Sequence, residues 1–310
     1  MTETSPGSVA ALDCGTNSTR LLVAHPDGSP AIRLMRITRL GQGVDATGDL
    51  KPEAIDRTVQ VLREFRQVID TAEVAKGRLV TTSAVRDARN GDAFLRAATE
   101  ATGFPAELLS GEEEGRLAYA GATSGLAPAA GDDVVVDIGG GSTELVVQRD
   151  GSVRALSMNM GCVRLSERFL RHDPPDDGEV GAMVGFIDSE LAEARQAMPM
   201  LSNLRQPCRL LGLAGSITTL AALELGLPAY DSDKVHHSAL SREAVERWCA
   251  TLAAETSARR AARPGMVVGR ADVIVGGAYV LKQLMERFGI AACIASETDI
   301  LDGIAMSLLT

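Results

Sequence analysis

Apolar positions along the chain alternate between two periods, and each switch marks an element boundary. The stretches "VAALDC", "TRLLVAH" and "AIRLMRITRL" read as strands, and the turns between them predict a meander. Pro52 then opens a helix: Ile55, Val59, Leu62, Phe65 and Ile69 recur at helical spacing and form one apolar stripe. "RLVTTSAVR" returns to strand and "DAFLRAATEAT" to helix, and "GFPAELLSGEEEGRLAYAGATSG" predicts a short strand, a turn and a helix that starts with Glu112, Glu113 and Glu114. "GLAPAAGDD" is the best linker, and beyond it the plan repeats.

The repetition reaches single residues. "DCGTNSTRLLV" (Asp13 to Val23) and "DIGGGSTELVV" (Asp137 to Val147) share six of eleven positions at one constant offset. Each copy predicts a strand, a glycine-bearing turn and a second strand, and a turn with few side chains lets its backbone approach an anion. A third turn, in "CRLLGLAGSITTLAALELG", follows a buried strand; Gly212 and Gly215 precede a helix expected to open at Ser216, so its N–H groups would also suit phosphate. Taken singly, each glycine also fits an ordinary tight turn. No Walker loop and no dinucleotide fingerprint occurs.

Composition narrows the classes. With 310 residues, 45% of them hydrophobic, the chain can build one large domain or two ordinary ones. Apolar runs fall short of the roughly 20 residues of a membrane helix, and the polar start "MTETSPGS" lacks the features of a signal peptide, so a cytoplasmic protein is expected, with no membrane partner. A net charge of −10 and 3% aromatics argue against broad nucleic-acid binding. Five scattered cysteines without a CxxC suit reduced core thiols.

"ALDCGTNSTRLLV", "TTSAVRDA", "SGEEEGRLAY", "VVVDIGGGSTELVV", "MGCVRLSERF", "GLAGSITTLA", "RADVIVGG" and "SETDILDGI" stand in this order along nearly the whole chain. They resemble the exopolyphosphatase and guanosine pentaphosphate phosphohydrolase family. The resemblance implies the actin-like, sugar kinase and chaperone ATPase superfold, a ribonuclease H-like α/β fold of two duplicated domains with the active site in a cleft between them. The expected domains are residues 1–124, with a C-terminal helix at about 299–310 packing back on them, and residues 125–298. Longer relatives add a histidine-aspartate domain; the resemblance implies the short, two-domain form here.

The resemblance also implies roles. Glu114 lies where the family's catalytic glutamate lies, which is understood to activate the attacking water. Glu112 and Glu113 are read as acids favoured by the positive end of the helix dipole. Asp137 and Glu144 resemble the acids near a divalent metal, usually Mg2+, which takes one or two carboxylates plus substrate phosphate; strand-end acids capping a turn are the plainer reading. Asp13 matches Asp137, but Arg20 replaces the equivalent of Glu144, so the first turn suits phosphate and the second metal. Phosphate contacts are expected from Asp13, Gly15, Thr16, Asn17, Ser18, Arg20 and Arg86, from Gly139, Gly140, Gly141, Ser142 and Thr143, and from Gly215 and Ser216. Either arginine also fits a surface ion pair.

The four histidines offer little: the adjacent His236 and His237 would point to opposite faces of a strand and chelate poorly, and His172 lacks the further ligands of a histidine-aspartate site. Arg259, Arg260, Arg263 and Arg270 cluster, either complementing a helix C-terminus or forming a basic lane for a long polyanion. The expected activity is hydrolysis of the terminal phosphoanhydride of inorganic polyphosphate; guanosine pentaphosphate hydrolysis, a kinase or ATPase on the same superfold, and a polyphosphate-sensing protein are the alternatives. The family makes a homodimer plausible.

Overall fold

The structure is a computed structural model and describes residues 7–127 and 129–310; the first six residues of the polar start and Pro128 of the linker lie outside the described residues. The chain divides into two compact units, one running up to Ser124 and resuming at Thr298–Thr310, the other spanning Gly125–Glu297. Both are α/β: a three-stranded antiparallel meander is extended on one side by further strands, all parallel to the first strand of the meander except the edge strand of the second unit's sheet.

In the first unit, β1 (Val9–Cys14), β2 (Ser18–Ala24) and β3 (Pro30–Ile37) form the meander, and β4 (Lys76–Thr81) and β5 (Ala106–Leu108) run parallel to β1, in the order β3-β2-β1-β4-β5. Every residue of the central β1 is buried, as expected for a strand covered on both faces. The Pro52–Thr71 helix carries Pro52 in its first turn and buries Val59, Leu62, Phe65 and Ile69 against Leu12, Leu21 and Leu79, with Ile55 half-buried beside them. The last helix, Ile300–Leu309, packs on the Gly111–Thr123 helix so closely that the two backbones touch. A Cβ on Gly121 would lie 1.8 Å from the Asp299 carbonyl oxygen, and one on Gly303 2.0 Å from that of Leu117.

The second unit repeats the meander with β6 (Asp133–Ile138), β7 (Thr143–Arg149) and β8 (Ser152–Met158), and continues through β9 (Arg209–Leu213), β10 (Ala239–Ser241) and β11 (Ala292–Ala295) in the order β10-β11-β9-β6-β7-β8. Its core joins β6 and β7 to the Asp177–Ala197, Ala214–Glu224 and Ile274–Arg287 helices through Val136, Leu145, Ile187, Leu220 and Leu281. The five thiols are free, four of them buried. Among the described residues no helix is long and apolar enough to cross a membrane.

Two expectations are corrected. The third glycine turn does not open its helix at Ser216: the helix spans Ala214–Glu224, and the left-handed residue is Ala214, at φ 64°. Gly215 is needed for space instead, because a Cβ there would lie 2.1 Å from the Arg270 guanidinium carbon. His236 and His237 do not sit on opposite faces of a strand. They follow the short Ser232–Val235 helix, and with His237 at φ 62° their rings stack, centroids 3.7 Å apart.

Candidate active site

In both units the glycine turn joins the first two strands of the meander, and the strand registers set up the same pair of positions beside it. Asp13 lies directly opposite Arg20 across β1 and β2, and Asp137 directly opposite Glu144 across β6 and β7. Directly opposed side chains share one face of a sheet, about 5 Å apart at Cβ. The backbone of each turn is braced alike. Thr38 and Arg39 donate to the Asn17 carbonyl and Gly41 to that of Thr16. In the second unit Gly161, Val163 and Arg164 donate to the carbonyls of Gly141 and Gly140, Cys162 to that of Gly139, and the Arg164 Nε adds a bond of 2.7 Å to Gly141. The carbonyls of each turn are thus bonded to the segment after the third strand, and in the first turn the Gly15 N–H donates to the Ser18 carbonyl.

The first pair is an ion pair. Arg20 donates from Nε (3.0 Å) and Nη2 (2.6 Å) to Oδ2 of Asp13, and from Nη1 to Asp299. Burial pushes the Asp13 carboxyl up, the Arg20 charge and hydrogen bond pull it down, Asp299 pushes it up again, and the balance is upward. Thr16 shares a hydroxyl–hydroxyl bond of 3.0 Å with Ser83, which ties the first turn to the "TTSAVR" segment. The second pair is two acids, Asp137 at 7% and Glu144 at 1% exposure, with Ser157 donating to Glu144 Oε1 at 2.7 Å. Like charges directly opposed on buried strands destabilise the sheet, and a hard divalent cation with oxygen ligands relieves them. The residues present therefore fit Mg2+. Ser142 and Thr143, beside the pair, are buried, with the Thr143 hydroxyl donating to the Met160 carbonyl.

Glu114 sits in the first turn of the Gly111–Thr123 helix. Ser110 caps this helix, its hydroxyl accepting from the Glu113 N–H, and so fixes the backbone that carries all three glutamates. Helical spacing then separates their fates. Glu112 pairs with Arg116 one turn along, Glu113 reaches Arg78, and both are exposed, whereas Glu114 is buried at 8% exposure. Arg86 Nη1 stands 3.6 Å from Glu114 Oε2 and donates to the Leu109 carbonyl at 3.0 Å. The first unit thus gathers Asp13, Gly15, Thr16, Asn17, Ser18 and Arg20 around one turn, and Glu114 beside Arg86. In the second unit Gly139–Thr143 lie with Asp137 and Glu144, and Gly215 and Ser216 lie in the first turn of the helix directly after β9, Gly215 against Arg270.

Sequence reasoning left the brace at Cys162–Arg164 without a role and read Arg270 only as a member of the arginine cluster, whereas it packs against Gly215. Their signal was present in the quoted stretches "RADVIVGG" and "MGCVRLSERF", but which turn each one supports depends on tertiary packing. The remaining arginine cluster is not a basic lane. Arg263 holds Glu255 through two bonds, Arg259 reaches the same carboxylate, and Arg260 is buried against Asp173. His172, Asp176 and Glu179 do converge, but around the capping box of the Asp177–Ala197 helix, where Glu179 accepts from the N–H groups of Arg171, His172 and Asp176.

Known proteins resemble this chain along most of its length. The model of the Ppx/GppA phosphatase family matches residues 23–310. Exopolyphosphatase 2 of Mycobacterium tuberculosis is 42% identical, over 97% of this chain and 98% of that protein. A crystal structure of an exopolyphosphatase-like protein superposes with a TM-score of 0.91 at 36% identity, covering 97% of both chains. The Ppx/GppA family member of Aquifex aeolicus gives 0.80 at 35%, covering 97% of this chain and 96% of that one. With its two glycine turns, its paired acids and a family match spanning nearly its full length, the chain belongs to the Ppx/GppA phosphatase family.

Proposed function

We propose that the protein is an exopolyphosphatase, which hydrolyses the terminal phosphoanhydride bond of inorganic polyphosphate with Mg2+ and releases orthophosphate. The observation that carries this reading is Glu114: a carboxylate buried to 8% exposure, on a capped helix, beside an arginine. The 42% identity to a named exopolyphosphatase supports the substrate class. A kinase needs no such base aimed at water, and the low aromatic content offers little to a guanine base.

The chemistry follows from the donor sets. N–H groups of the glycine turns hold phosphate oxygens, and Arg20 and Arg86 place guanidinium forks against them. Water attacks the terminal phosphorus, the bond to the bridging oxygen breaks, and the shortened chain leaves with that oxygen. Glu114 takes the proton from the attacking water, which raises its nucleophilicity as the new bond forms. When bound by Asp137 and Glu144, magnesium supplies positive charge to neutralise the phosphate oxygens.

Glu114→Gln preserves shape and removes the base. It should bind long polyphosphate about as well as the wild type while phosphate release falls by roughly 10² to 10⁴-fold. Glu112→Gln and Glu113→Gln, exposed on the same helix, should leave turnover within about twofold. Near-normal phosphate release from the Glu114→Gln protein at saturating substrate would overturn the assignment.

A further inference from the structure

Arg20 is held by two carboxylates of different origin. Asp13, its partner across the hairpin, takes both the Nε and the Nη2 hydrogens on a single oxygen, Oδ2. One acceptor atom is a pivot: it fixes where the guanidinium sits but not the plane in which its fork points. Asp299 removes that freedom by accepting from Nη1 through its own Oδ2. Its other oxygen, Oδ1, caps the last helix by accepting from the Leu301 N–H at 2.9 Å. The Asp299 backbone N–H in turn donates to Asp302 Oδ2 at 2.8 Å, closing a capping box, and Arg33 holds Asp302 Oδ1 at 2.5 Å.

This residue also rests directly on the helix that carries Glu114. The Asp299 carbonyl occupies the space that any side chain on Gly121 would need, so the start of the last helix and the Gly111–Thr123 helix cannot shift independently. We infer that Asp299 is a positioning residue, a strut whose side chain orients Arg20 while its backbone is seated on the helix of Glu114, so that the phosphate-binding fork and the base are set from one point. The inference rests on the phosphohydrolase reading for the roles of Arg20 and Glu114.

Simple electrostatics and positioning predict opposite signs, which makes the idea testable. Asp299 is an anion beside a group that binds anions, so removing its charge should tighten polyphosphate binding if charge is all that matters. If it orients Arg20, the same change should weaken binding. Asparagine retains the acceptor that caps the helix and is as good an N-cap as aspartate, so Asp299→Asn removes the contact to Arg20 and, beside it, only the longer ion pair to Arg33 at 3.8 Å. The affinity for inorganic tripolyphosphate, measured by calorimetry on the full chain in the Glu114→Gln background to block turnover, should fall roughly tenfold, the order expected for a lost charge-assisted hydrogen bond. In a protein that also carries Arg20→Gln, Asp299→Asn should cost no more than about twofold further, because the group it orients is gone.

Tighter binding, unchanged binding, or an equal loss in both backgrounds would overturn the inference. If Asp299→Asn lowers the melting temperature enough to confuse the measurement, Asp299→Ser, also a capping residue, repeats the cycle and is read the same way. A wild-type protein that binds tripolyphosphate without releasing phosphate would sink the hydrolase reading alone. No binding by any of the proteins would sink both.

Discussion

The two glycine hairpins share their sequence frame, strand register and backbone bracing, yet their paired positions behave in opposite ways. In the first, Asp13 and Arg20 neutralise one another, with Arg20 extended to Asp299. In the second, Asp137 faces Glu144, and two buried acids lie where the first hairpin has an acid and a base. One substitution within a duplicated frame therefore sets an ion pair beside one turn and two opposed acids beside the other. The geometry is inherited from the sheet, and the chemistry from a single side chain.

The comparison can be broken most directly at the second hairpin. Asp137→Asn should cut phosphate release by about a hundredfold or more, since a metal charge on a transferring phosphoryl group is worth several kcal/mol, and should abolish the rise in melting temperature expected of the wild type on adding magnesium. A variant that kept its magnesium-dependent activity and thermal shift would end the metal assignment.

The same substitution at the matching position sharpens the contrast through its sign. Asp13→Asn weakens the anchor of a half-buried arginine and should lower stability by about 1 to 3 kcal/mol in denaturant titrations. In magnesium-free buffer Asp137→Asn should instead raise stability, by up to about 1 kcal/mol, because it removes one of two opposed like charges. Losses of similar size at both positions would mean that the second pair carries no repulsion for a cation to relieve.

The smallest effect is a pH dependence that again separates the units. Glu179 in the second unit is pushed up by desolvation, but hydrogen bonds from the Arg171 backbone, the His172 ring and other N–H groups outweigh this and lower it from 4.5 to about 2. Its contribution to stability is therefore present above about 4.5 and lost as pH falls toward about 2. The Asp13 carboxyl in the first unit moves the other way, raised by its burial against the pull of Arg20. Melting temperatures of the wild type and Glu179→Gln should differ at neutral pH and converge as pH falls to about 2. A constant gap across that range would show that Glu179 acts without its charge.

Much of the fold was legible because burial imposes periods on sequence. The stripe from Val59 to Ile69 and the wholly apolar center of β6 can be read without coordinates, since a helix face and a doubly covered strand leave few alternatives. The roles of the charged side chains were less legible. Arg259, Arg260 and Arg263 look like a basic lane in sequence, but each finds a carboxylate, Glu255 just upstream for Arg259 and Arg263 and the distant Asp173 for Arg260. Gly215 looks like a turn glycine, yet the left-handed residue is its neighbor Ala214, and the absence of a side chain at 215 makes room for Arg270.

The sequence by itself determined that the chain is duplicated, that each half opens with a strand, a glycine turn and a strand, and that the second turn carries an acid where the first carries an arginine. These are properties of spacing and residue type, and they hold wherever the segments lie. Only tertiary structure decided which charges answer one another. Asp299 is far from Arg20 along the chain and touches it because Gly121 and Gly303 let the last helix settle backbone to backbone on the helix of Glu114. Among three consecutive glutamates, packing alone buries the third. Coulomb and hydrogen-bond energies depend on distance and desolvation, and neither quantity exists until the chain has folded.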